Sequence, residues 1–212
     1  MRDGSLKNIP VSLLLLAGGC GSRMGGNKLY ASVDGVFLVE RIFSSFDGFF
    51  SEFIFLVACG ERERAEEFLS HWADKYDFLV VEDCVSGVGP LEGLARGLEV
   101  MSCDWGFLLG CDMPFASPDV VRSMFSFVCD DFDVVVSSRG GFLEPLHAFY
   151  SKSCLCAVRD SVSCGKRSLR SFFSDVSVCV LDVSDFASDE EFERSFFNLN
   201  CPSDLEVFRT LL

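Results

Sequence analysis

A glycine-rich segment carries the clearest chemical signal in the sequence. It follows an apolar stretch directly and reads Leu16-Ala17-Gly18-Gly19-Cys20-Gly21-Ser22-Arg23-Met24-Gly25-Gly26-Asn27-Lys28. Glycines let a backbone approach phosphate groups closely and point several N–H groups at them. Arg23 and Lys28 supply positive charge for the same anion. The segment therefore predicts a phosphate-binding loop, and the alternative is an ordinary glycine-rich turn between a strand and a helix.

Two common phosphate-binding motifs do not fit this segment. No Gly-Lys-Ser/Thr follows the glycines, so the segment is not a P-loop. Met24 stands where a dinucleotide fingerprint has its third glycine. The loop therefore predicts nucleotide phosphate binding of another kind.

A second candidate is the acidic residue that follows the predicted strand Phe107–Leu109. Gly110-Cys111-Asp112-Met113-Pro114 places Asp112 at the sheet edge that also carries the glycine loop. Mg²⁺ typically binds one or two carboxylates together with phosphate oxygens and water. Asp112 is therefore predicted to be a metal ligand, and the alternative is a turn residue that caps the backbone before Pro114.

A third candidate lies at the end of the predicted strand Phe78–Val81. Glu82 and Asp83 come first, and a second glycine-containing stretch, Gly87–Gly93, follows them. The glycines would let a ligand ring lie against the backbone, and Asp83 or Glu82 would bind a base or a ribose. The alternative is an acidic loop end without a ligand.

The elements around these motifs alternate between short apolar runs and amphipathic stretches. The predicted strands are Val11–Leu16, Phe53–Ala58, Phe78–Val81, Phe107–Leu109 and Asp133–Ser137. The predicted helices are Leu38–Phe46, Glu61–His71, Leu91–Met101 and one that starts at Ser117-Pro118-Asp119 with Ser117 as its N-cap. This alternation predicts a mostly parallel α/β sheet with right-handed crossovers.

The remainder of the chain is less regular. We expect mixed sheet near Leu146–Tyr150 and Val176–Asp182, and a final helix over Pro202–Leu211. No linker or repeat divides the sequence, so a single domain over residues 1–212 is predicted.

The charge balance limits the partners of this protein. It has 18 basic and 32 acidic residues among 212, a net charge of −14. A field of that sign repels nucleic acid backbones, so a small anionic substrate must be held by local positive charge or by a metal. No apolar run approaches the roughly 20 residues of a membrane helix. The 23 phenylalanines predict a well-filled core.

The cysteines and the first residues bear on the cellular compartment. Eleven cysteines form a poor disulfide framework, and we expect small buried apolar side chains in a reducing cytosol. A structural zinc site would need ligand spacing that the sequence lacks. The stretch before Cys20 resembles a short secretion signal, but cleavage there would divide the glycine loop. A cytoplasmic protein is therefore predicted.

These motifs, in this order, resemble the MobA-type molybdenum cofactor guanylyltransferases of the nucleotidyltransferase superfamily. The glycine loop ending in Arg23-Met24-Gly25 and Lys28 is typical of the superfamily. Narrower cues are Gly89-Pro90-Leu91 with Gly93, Gly110–Pro114, Glu144–Tyr150, Ser168-Leu169-Arg170, and Phe197–Asn200 with Pro202 and Asp204-Leu205. They extend from Leu16 to Leu205, nearly the whole chain.

The resemblance implies a three-layer, Rossmann-like α/β fold of the nucleotide-diphospho-sugar transferase type. It also implies Mg²⁺-dependent transfer of GMP from GTP to molybdopterin, with release of pyrophosphate and transient contacts with molybdenum-insertion or acceptor enzymes. In similar enzymes the nucleotide is held at positions that match Leu16, Ala17, Gly18, Gly19, Lys28, Asp83 and Asp112, with Asp112 also on the metal. Arg23, Gly26, Asn198 and Asn200 match positions associated with catalysis or with the pterin.

The sequence leaves the choice of nucleotide, the role of one histidine and a function without catalysis open. Some relatives have Asn near guanine where this chain has Val57, which leaves a CTP-dependent molybdopterin enzyme or a sugar-phosphate nucleotidyltransferase as the alternative. His147 lies in one of the familial motifs and either lines the acceptor cleft or is a core histidine. A nucleotide-sensing module without activity is the alternative outside enzymes, although Arg23, Lys28 and Asp112 are all present.

Overall fold

The structure is a computed structural model that describes residues 8–17, 27–84, 89–182, 188–201 and 203–212. The glycine loop over 18–26 lies outside these ranges. The strands are β1 (Ile9–Leu16), β2 (Ser32–Val33), β3 (Val36–Phe37), β4 (Phe50–Val57), β5 (Phe78–Glu82), β6 (Trp105–Gly110), β7 (Val134–Arg139), β8 (Phe142–Ser151) and β9 (Val178–Asp182). The helices are α1 (Leu38–Ser45), α2 (Arg62–Leu69), α3 (Pro90–Val100), α4 (Pro118–Phe125), α5 (Leu155–Ser163), α6 (Asp189–Ser195) and α7 (Asp204–Thr210).

Within the described ranges, seven strands form one sheet in the order β5-β4-β1-β6-β8-β7-β9. β8 runs antiparallel to both of its neighbours, and the other neighbouring pairs are parallel. The prediction of a mostly parallel sheet with a mixed part near β8 is therefore confirmed. β2 and β3 form a separate hairpin.

Helices cover both faces of the sheet, which gives the three expected layers. One face packs against α1, α2 and α4, and the other packs against α3 and α5. In β1, Leu13 and Leu15 belong to the first core and Leu14 belongs to the second. This strand is a continuous apolar run because both of its faces are buried.

The first core is rich in aromatic side chains, as the phenylalanine content predicts. Phe43 lies at its centre, with its ring centroid 4.9 Å from that of Phe78 and 5.9 Å from that of Phe55. A third, smaller core contains Leu199 and Phe208 and joins the end of the chain to the β2–β3 hairpin. That core holds the last described segment against the strand ends.

Two glycines allow α3 to pack close to the sheet. A Cβ on Gly97 would lie 3.0 Å from Leu14 Cδ1, and one on Gly106 would lie 2.7 Å from the same atom. Real side chains do not tolerate such approaches without a shift of the surrounding atoms. The second half of α3 can therefore pack close to Leu14 of β1.

Several elements differ from the expectations. The β2–β3 hairpin was not predicted, although Asp34 and Gly35 at its turn have φ of 52° and 83°, a common hairpin signal. α5 and α6 were also missed. Ser117 occupies the N-cap position of α4 as expected, but its side chain makes no capping hydrogen bond. The final helix begins at Asp204, and Pro202 lies outside the described residues.

The prediction that the cysteines are mostly buried is wrong. Of the ten that the structure describes, two are buried, Cys111 and Cys154. Five are exposed: Cys59, Cys84, Cys129, Cys156 and Cys164. All ten are free thiols, as expected. Among the described residues, none of the helices has the length and apolar character of a membrane span.

Candidate active site

The candidate site lies where the chain changes direction across the sheet. From β1 the chain adds β4 and β5 on one side, and it then crosses to β6 on the other side of β1. Open α/β sheets bind ligands beyond the carboxyl ends of strands at such a switch point. Backbone bonds hold these ends together: Ala17 N–H donates to the Leu56 carbonyl at 2.9 Å, and Cys111 N–H donates to the Leu16 carbonyl at 3.2 Å. The edge therefore brings together Leu16, Ala17 and the segment that contains Asp112.

Lys28 connects three distant parts of the sequence. It starts a short 3₁₀ turn, whose N-cap Asn27 accepts a hydrogen bond from Leu29 N–H at 3.0 Å. Its ammonium group pairs with the Asp112 carboxylate and donates to Asn200 Oδ1 at 2.7 Å. The Lys28 and Asp112 side chains are 26% and 11% exposed. This contact brings together residues predicted for the phosphates, the metal and the acceptor.

The backbone before Asp112 explains why its carboxylate can reach this position. Asp112 Oδ1 lies over Gly110, where any Cβ would overlap with it. Met113 N–H donates to the Gly110 carbonyl at 3.1 Å and closes a tight turn. The carboxylate pairs with Lys28. Met113 N–H thus bonds to the Gly110 carbonyl, and the Asp112 carboxylate is directed at Lys28.

The segment after α6 is fixed to the site by backbone bonds. Leu199 N–H donates to the Asp112 carbonyl at 2.9 Å. Asn200 N–H and Cys201 N–H donate to Asp204 Oδ2 at 2.7 and 2.9 Å. The Cys201 thiol and these two amides hold the pKa of the Asp204 carboxyl below its usual value. The side chain of Asn200 is thereby positioned beside Lys28.

Asn198 is placed differently from the other predicted acceptor residue of this segment. Its side-chain amide donates to the Phe196 carbonyl at 3.2 Å. The described contacts therefore bring Asn200, but not Asn198, to Lys28 and Asp112.

Asp83 lies at the end of β5, one strand beyond β4 on the same edge. Its N–H donates to the Val57 carbonyl at 2.9 Å, and a Cβ on Gly93 would lie 3.7 Å from its Oδ1. Burial, together with the nearby charge of Glu92, raises the pKa of the Asp83 carboxyl to about 6. A half-buried carboxyl beside the first turn of α3 suits hydrogen bonding to the edge of a base.

The neighbourhood of Asp83 contains a second carboxylate that is already neutralised. Glu92 is 4% exposed, and it accepts a hydrogen bond from Arg159 Nη1 at 2.9 Å. Arg96 Nε lies 3.4 Å from the Glu82 carbonyl and lowers the pKa of Asp83, against the larger effect of burial. The charge of Asp83 is thus balanced only in part.

A family model for the MobA-like NTP transferase domain matches residues 13–179. The chain belongs to this family. Its members transfer a nucleotidyl group, and the chain is therefore a nucleotidyltransferase. The matched residues include the candidate site from β1 to β6.

Curated relatives extend the MobA-like match to nearly the whole chain. A probable molybdenum cofactor guanylyltransferase from Pelotomaculum thermopropionicum is 30% identical over 198 residues, which cover 93% of this chain and 91% of the relative. A protein of the same description from Natranaerobius thermophilus is 29% identical over 205 residues, covering 95% and 96%. The similarity therefore includes the segment with Asn200.

Solved structures confirm the fold of this MobA-like chain. The molybdopterin-guanine dinucleotide biosynthesis protein A from Archaeoglobus fulgidus superposes with a TM-score of 0.76 at 24% identity, covering 93% of this chain and 96% of that one. The inositol-1-phosphate CTP transferase from T. maritima superposes with a TM-score of 0.70 at 18% identity, covering 96% of each chain. Both likenesses show the nucleotide-diphospho-sugar transferase type of fold.

His147 is a core residue of the MobA-like domain, which decides between the two roles that its sequence left open. Its side chain is buried, with its ring centroid 4.1 Å from that of Phe196 and 5.0 Å from that of Phe107. Its Nε2 lies 3.3 Å from Ser195 Oγ. Burial lowers the pKa of this imidazole to about 3. His147 therefore stays neutral and stabilises the packing between β6, β8 and α6.

Sequence reasoning gave little weight to a basic segment beside α3. A Cβ on Gly89, which has φ of +83°, would lie 3.1 Å from Arg167 Cβ, so the start of α3 packs against this segment. Lys166, Arg167 and Arg170 are all exposed there. In a chain of net charge −14, three exposed cations in one short segment form a local anion-attracting surface. The sequence indicates this surface by three basic residues close together on either side of Ser168-Leu169.

Several predicted site residues lie outside the described ranges. They are Gly18, Gly19, Arg23 and Gly26 of the glycine loop, and the glycine at 87 of the second glycine-containing stretch. The described residues contain no group of three or more His, Cys, Asp or Glu side chains placed to hold a metal. Within the described residues, Asp112 is the carboxylate that pairs with Lys28.

Proposed function

We propose that this protein transfers GMP from GTP to molybdopterin and releases pyrophosphate. The observation that carries the proposal is the convergence of Lys28, Asp112 and Asn200 at the switch point of the sheet. The curated relatives described as molybdenum cofactor guanylyltransferases support the choice of acceptor and base. The activity is proposed for a single domain over residues 1–212, working in the cytoplasm.

The chemistry is an in-line displacement at phosphorus. An oxygen of the molybdopterin phosphate attacks the α-phosphorus of GTP, and the bond from that phosphorus to the bridging β-phosphate oxygen breaks. The electron pair of this bond leaves with pyrophosphate. Because the nucleophile is already an ionised phosphate, no general base is needed. Both reactants are anionic, so positioning and charge neutralisation provide the catalysis.

Lys28 provides positive charge at the position where negative charge grows on the leaving group. With nucleotide bound, its ammonium group would exchange contacts with Asp112 and Asn200 for a phosphate oxygen. Arg23, in the glycine loop, is proposed to assist. Leu16, Ala17, Gly18 and Gly19 provide backbone contacts to the nucleotide, and Gly26, Asn198 and Asn200 are proposed for the acceptor side.

Asp112 is proposed to hold Mg²⁺. Its carboxylate is largely buried and pairs with one cation, so its environment favours positive charge. One carboxylate, with phosphate oxygens and water as the other ligands, is the donor set that Mg²⁺ commonly accepts. When bound, the metal neutralises phosphate charge and orients the reacting groups. Asn200 Oδ1 accepts a hydrogen bond from the same ammonium group that pairs with Asp112, and it would be a candidate for a further oxygen ligand.

Asp83 is proposed to recognise guanine. A carboxylate can accept hydrogen bonds from both N1–H and N2–H of guanine, whereas cytosine and adenine offer no such pair of donors. Val57 is fully buried and its side chain has no hydrogen-bonding group to offer a base. This absence of an amide at the end of β4 favours the second candidate, a transferase that uses CTP with molybdopterin or a sugar phosphate. The presence of both Lys28 and Asp112 argues against a sensing module without activity.

A substrate survey tests the proposal. The full chain is incubated with Mg²⁺, each NTP in turn, and either molybdopterin or a sugar phosphate, and pyrophosphate release and the dinucleotide product are measured. We expect release with GTP and molybdopterin, lost in Asp112→Asn and retained in the exposed control Asp119→Asn. Preferred use of CTP would establish the second candidate. Absence of turnover with every pair, in protein that binds nucleotide, would establish the sensing module.

A further inference from the structure

A cavity of about 300 Å³ lies outside the nucleotide edge. It is open to solvent on one side and is lined by residues of α1, the turn after β6, α6 and Leu212. Leu16, Lys28, Asp83 and Asp112 do not line it. We call it the Arg41–Arg194 cavity after the two basic residues in its wall. Its volume is at the lower end of the range for small-molecule sites.

The guanidinium groups of Arg41 and Arg194 each lie over the ring of a phenylalanine, and the two rings are in contact with each other. Arg41 lies 5.3 Å from the Phe208 ring centroid, and Arg194 lies 5.5 Å from that of Phe115. The centroids of Phe115 and Phe208 are 4.8 Å apart. Stacking on a ring holds a guanidinium in place while its N–H groups remain available to an acceptor.

Neither arginine forms an ion pair with an acidic side chain among the described residues. This differs from Arg62, Arg96, Arg159 and Arg209, which all pair with carboxylates. The Nε of Arg41 is removed from solvent and has no hydrogen-bond acceptor within the described part of the chain. A hydrogen bond from Arg209 and, to a smaller extent, the charge of Arg41 lower the pKa of the nearby Asp34 carboxyl, but that carboxylate accepts its hydrogen bonds from Arg209. A buried donor without an acceptor destabilises a fold, so Arg41 Nε is available to a ligand that brings one.

The other lining residues limit what the partner can be. Val36, Pro114 and Phe115 present apolar surface, and Glu40 is the acidic residue that the lining contains. A ligand that fits both the apolar residues and the two arginines has an apolar body and at least one negative group. A bare divalent cation would be repelled by the two guanidinium groups.

We propose that the Arg41–Arg194 cavity is a binding site for a small organic anion, separate from the nucleotide site. A carboxylate or phosphate group of the ligand accepts hydrogen bonds from the two arginines, and its apolar part packs against Phe115 and Pro114. Both anions present the oxygen geometry that a guanidinium binds with two N–H groups. The proposal stands independently of the transferase reaction.

Calorimetric titration of the full chain with phenyl phosphate and, separately, with phenylacetate tests the site and distinguishes the two anions. We expect the wild type to bind at least one of them. The Lys28→Ala variant, which lacks the cation of the nucleotide site, should bind it with unchanged affinity. Arg194→Gln should weaken binding by about tenfold or more, the loss of a charge-assisted hydrogen bond. The matched control Arg62→Gln, on the exposed face of α2, should bind like the wild type.

Arg194 is exposed, so its substitution tests the site even if the partly buried Arg41 cannot be replaced without loss of folding. Thermal unfolding of each variant identifies any that is misfolded. Absence of binding of both probes by the wild type at millimolar concentration would overturn the proposal. So would loss of binding in Lys28→Ala together with full binding in Arg194→Gln, because the anion would then occupy the nucleotide site.

Discussion

The carboxyl of Asp83 should make the folded protein less stable as the pH rises. Its pKa is about 6 in the folded state, mainly because of burial, against 3.8 as its usual value. The folded state therefore binds this proton more tightly than the unfolded state does. The contribution of Asp83 to stability is most favourable below 3.8, decreases as the pH rises towards 6, and is constant above that.

The size of the effect follows from the difference between these pKa values. Each unit corresponds to about 1.4 kcal/mol, so the whole shift corresponds to at most about 3 kcal/mol. Asp83 is only partly buried, and solvent screening reduces this figure to about 1–2 kcal/mol. Replacing it by the uncharged Asn removes the cost of holding the charge while keeping the shape.

Urea unfolding of wild type and Asp83→Asn, at a pH below 3.8 and at a pH well above 6, measures the effect. We expect the variant to be more stable by about 1–2 kcal/mol at the higher pH and nearly equal at the lower one. Asp74→Asn, on an exposed turn, is the control and should show no such difference. The kcat/KM ratio of GTP to CTP should fall in Asp83→Asn, which would show that the charge is kept for recognition at the expense of stability.

Equal stability of the two proteins at high pH would refute the reasoning. A gain of the same size at both pH values would also refute it, because a pH-independent gain has its origin in packing rather than in charge. An unchanged base preference would leave the stability argument intact and remove Asp83 from guanine recognition.

Four further outcomes are expected. Lys28→Ala should lower GTP affinity and turnover by about 2–4 kcal/mol in total while the protein remains folded, and wild-type kinetics would exclude a phosphate contact. Asp112→Asn should abolish Mg²⁺-dependent activity, and a matching loss of folded protein in thermal unfolding would instead assign Asp112 to the turn. Gly106→Ala should destabilise the fold by about 1–3 kcal/mol in urea, because its Cβ would overlap with Leu14. The NMR signals of the His147 ring should not titrate down to about pH 4, and a midpoint near 6.5 would contradict its burial.

Much of the fold could be predicted because burial on both sides leaves a strong pattern. β1, β4, β5 and β6 are short apolar runs bounded by polar turns, and each was located to within three residues. The parallel arrangement then required their carboxyl ends to share one edge. The sequence pattern therefore predicts the glycine loop with Lys28, Asp112 and Asp83 at one edge of the sheet.

The missed features depend on tertiary contacts that local patterns do not contain. Sequence alone could not tell whether His147 faces the cleft or the core, since the residues around it are apolar in either case. The position of Asn200 depends on bonds to Asp204 and Asp112, and only the family resemblance pointed to it. The exposure of Cys156 and Cys164 depends on which side of α5 packs against α3.

The Lys28 contacts also have a consequence for the order in which the protein is assembled. Lys28 is separated by 84 residues from Asp112 and by 172 from Asn200. As a chain emerges from the ribosome, β1, β4, β5 and β6 can pair one after another, because each finds its neighbour already made. The segment with Leu199 and Asn200 emerges after all of these strands, and its bond to the Asp112 carbonyl cannot form earlier. A nascent or truncated chain that lacks this segment would therefore contain the central strands of the sheet without a complete reaction centre.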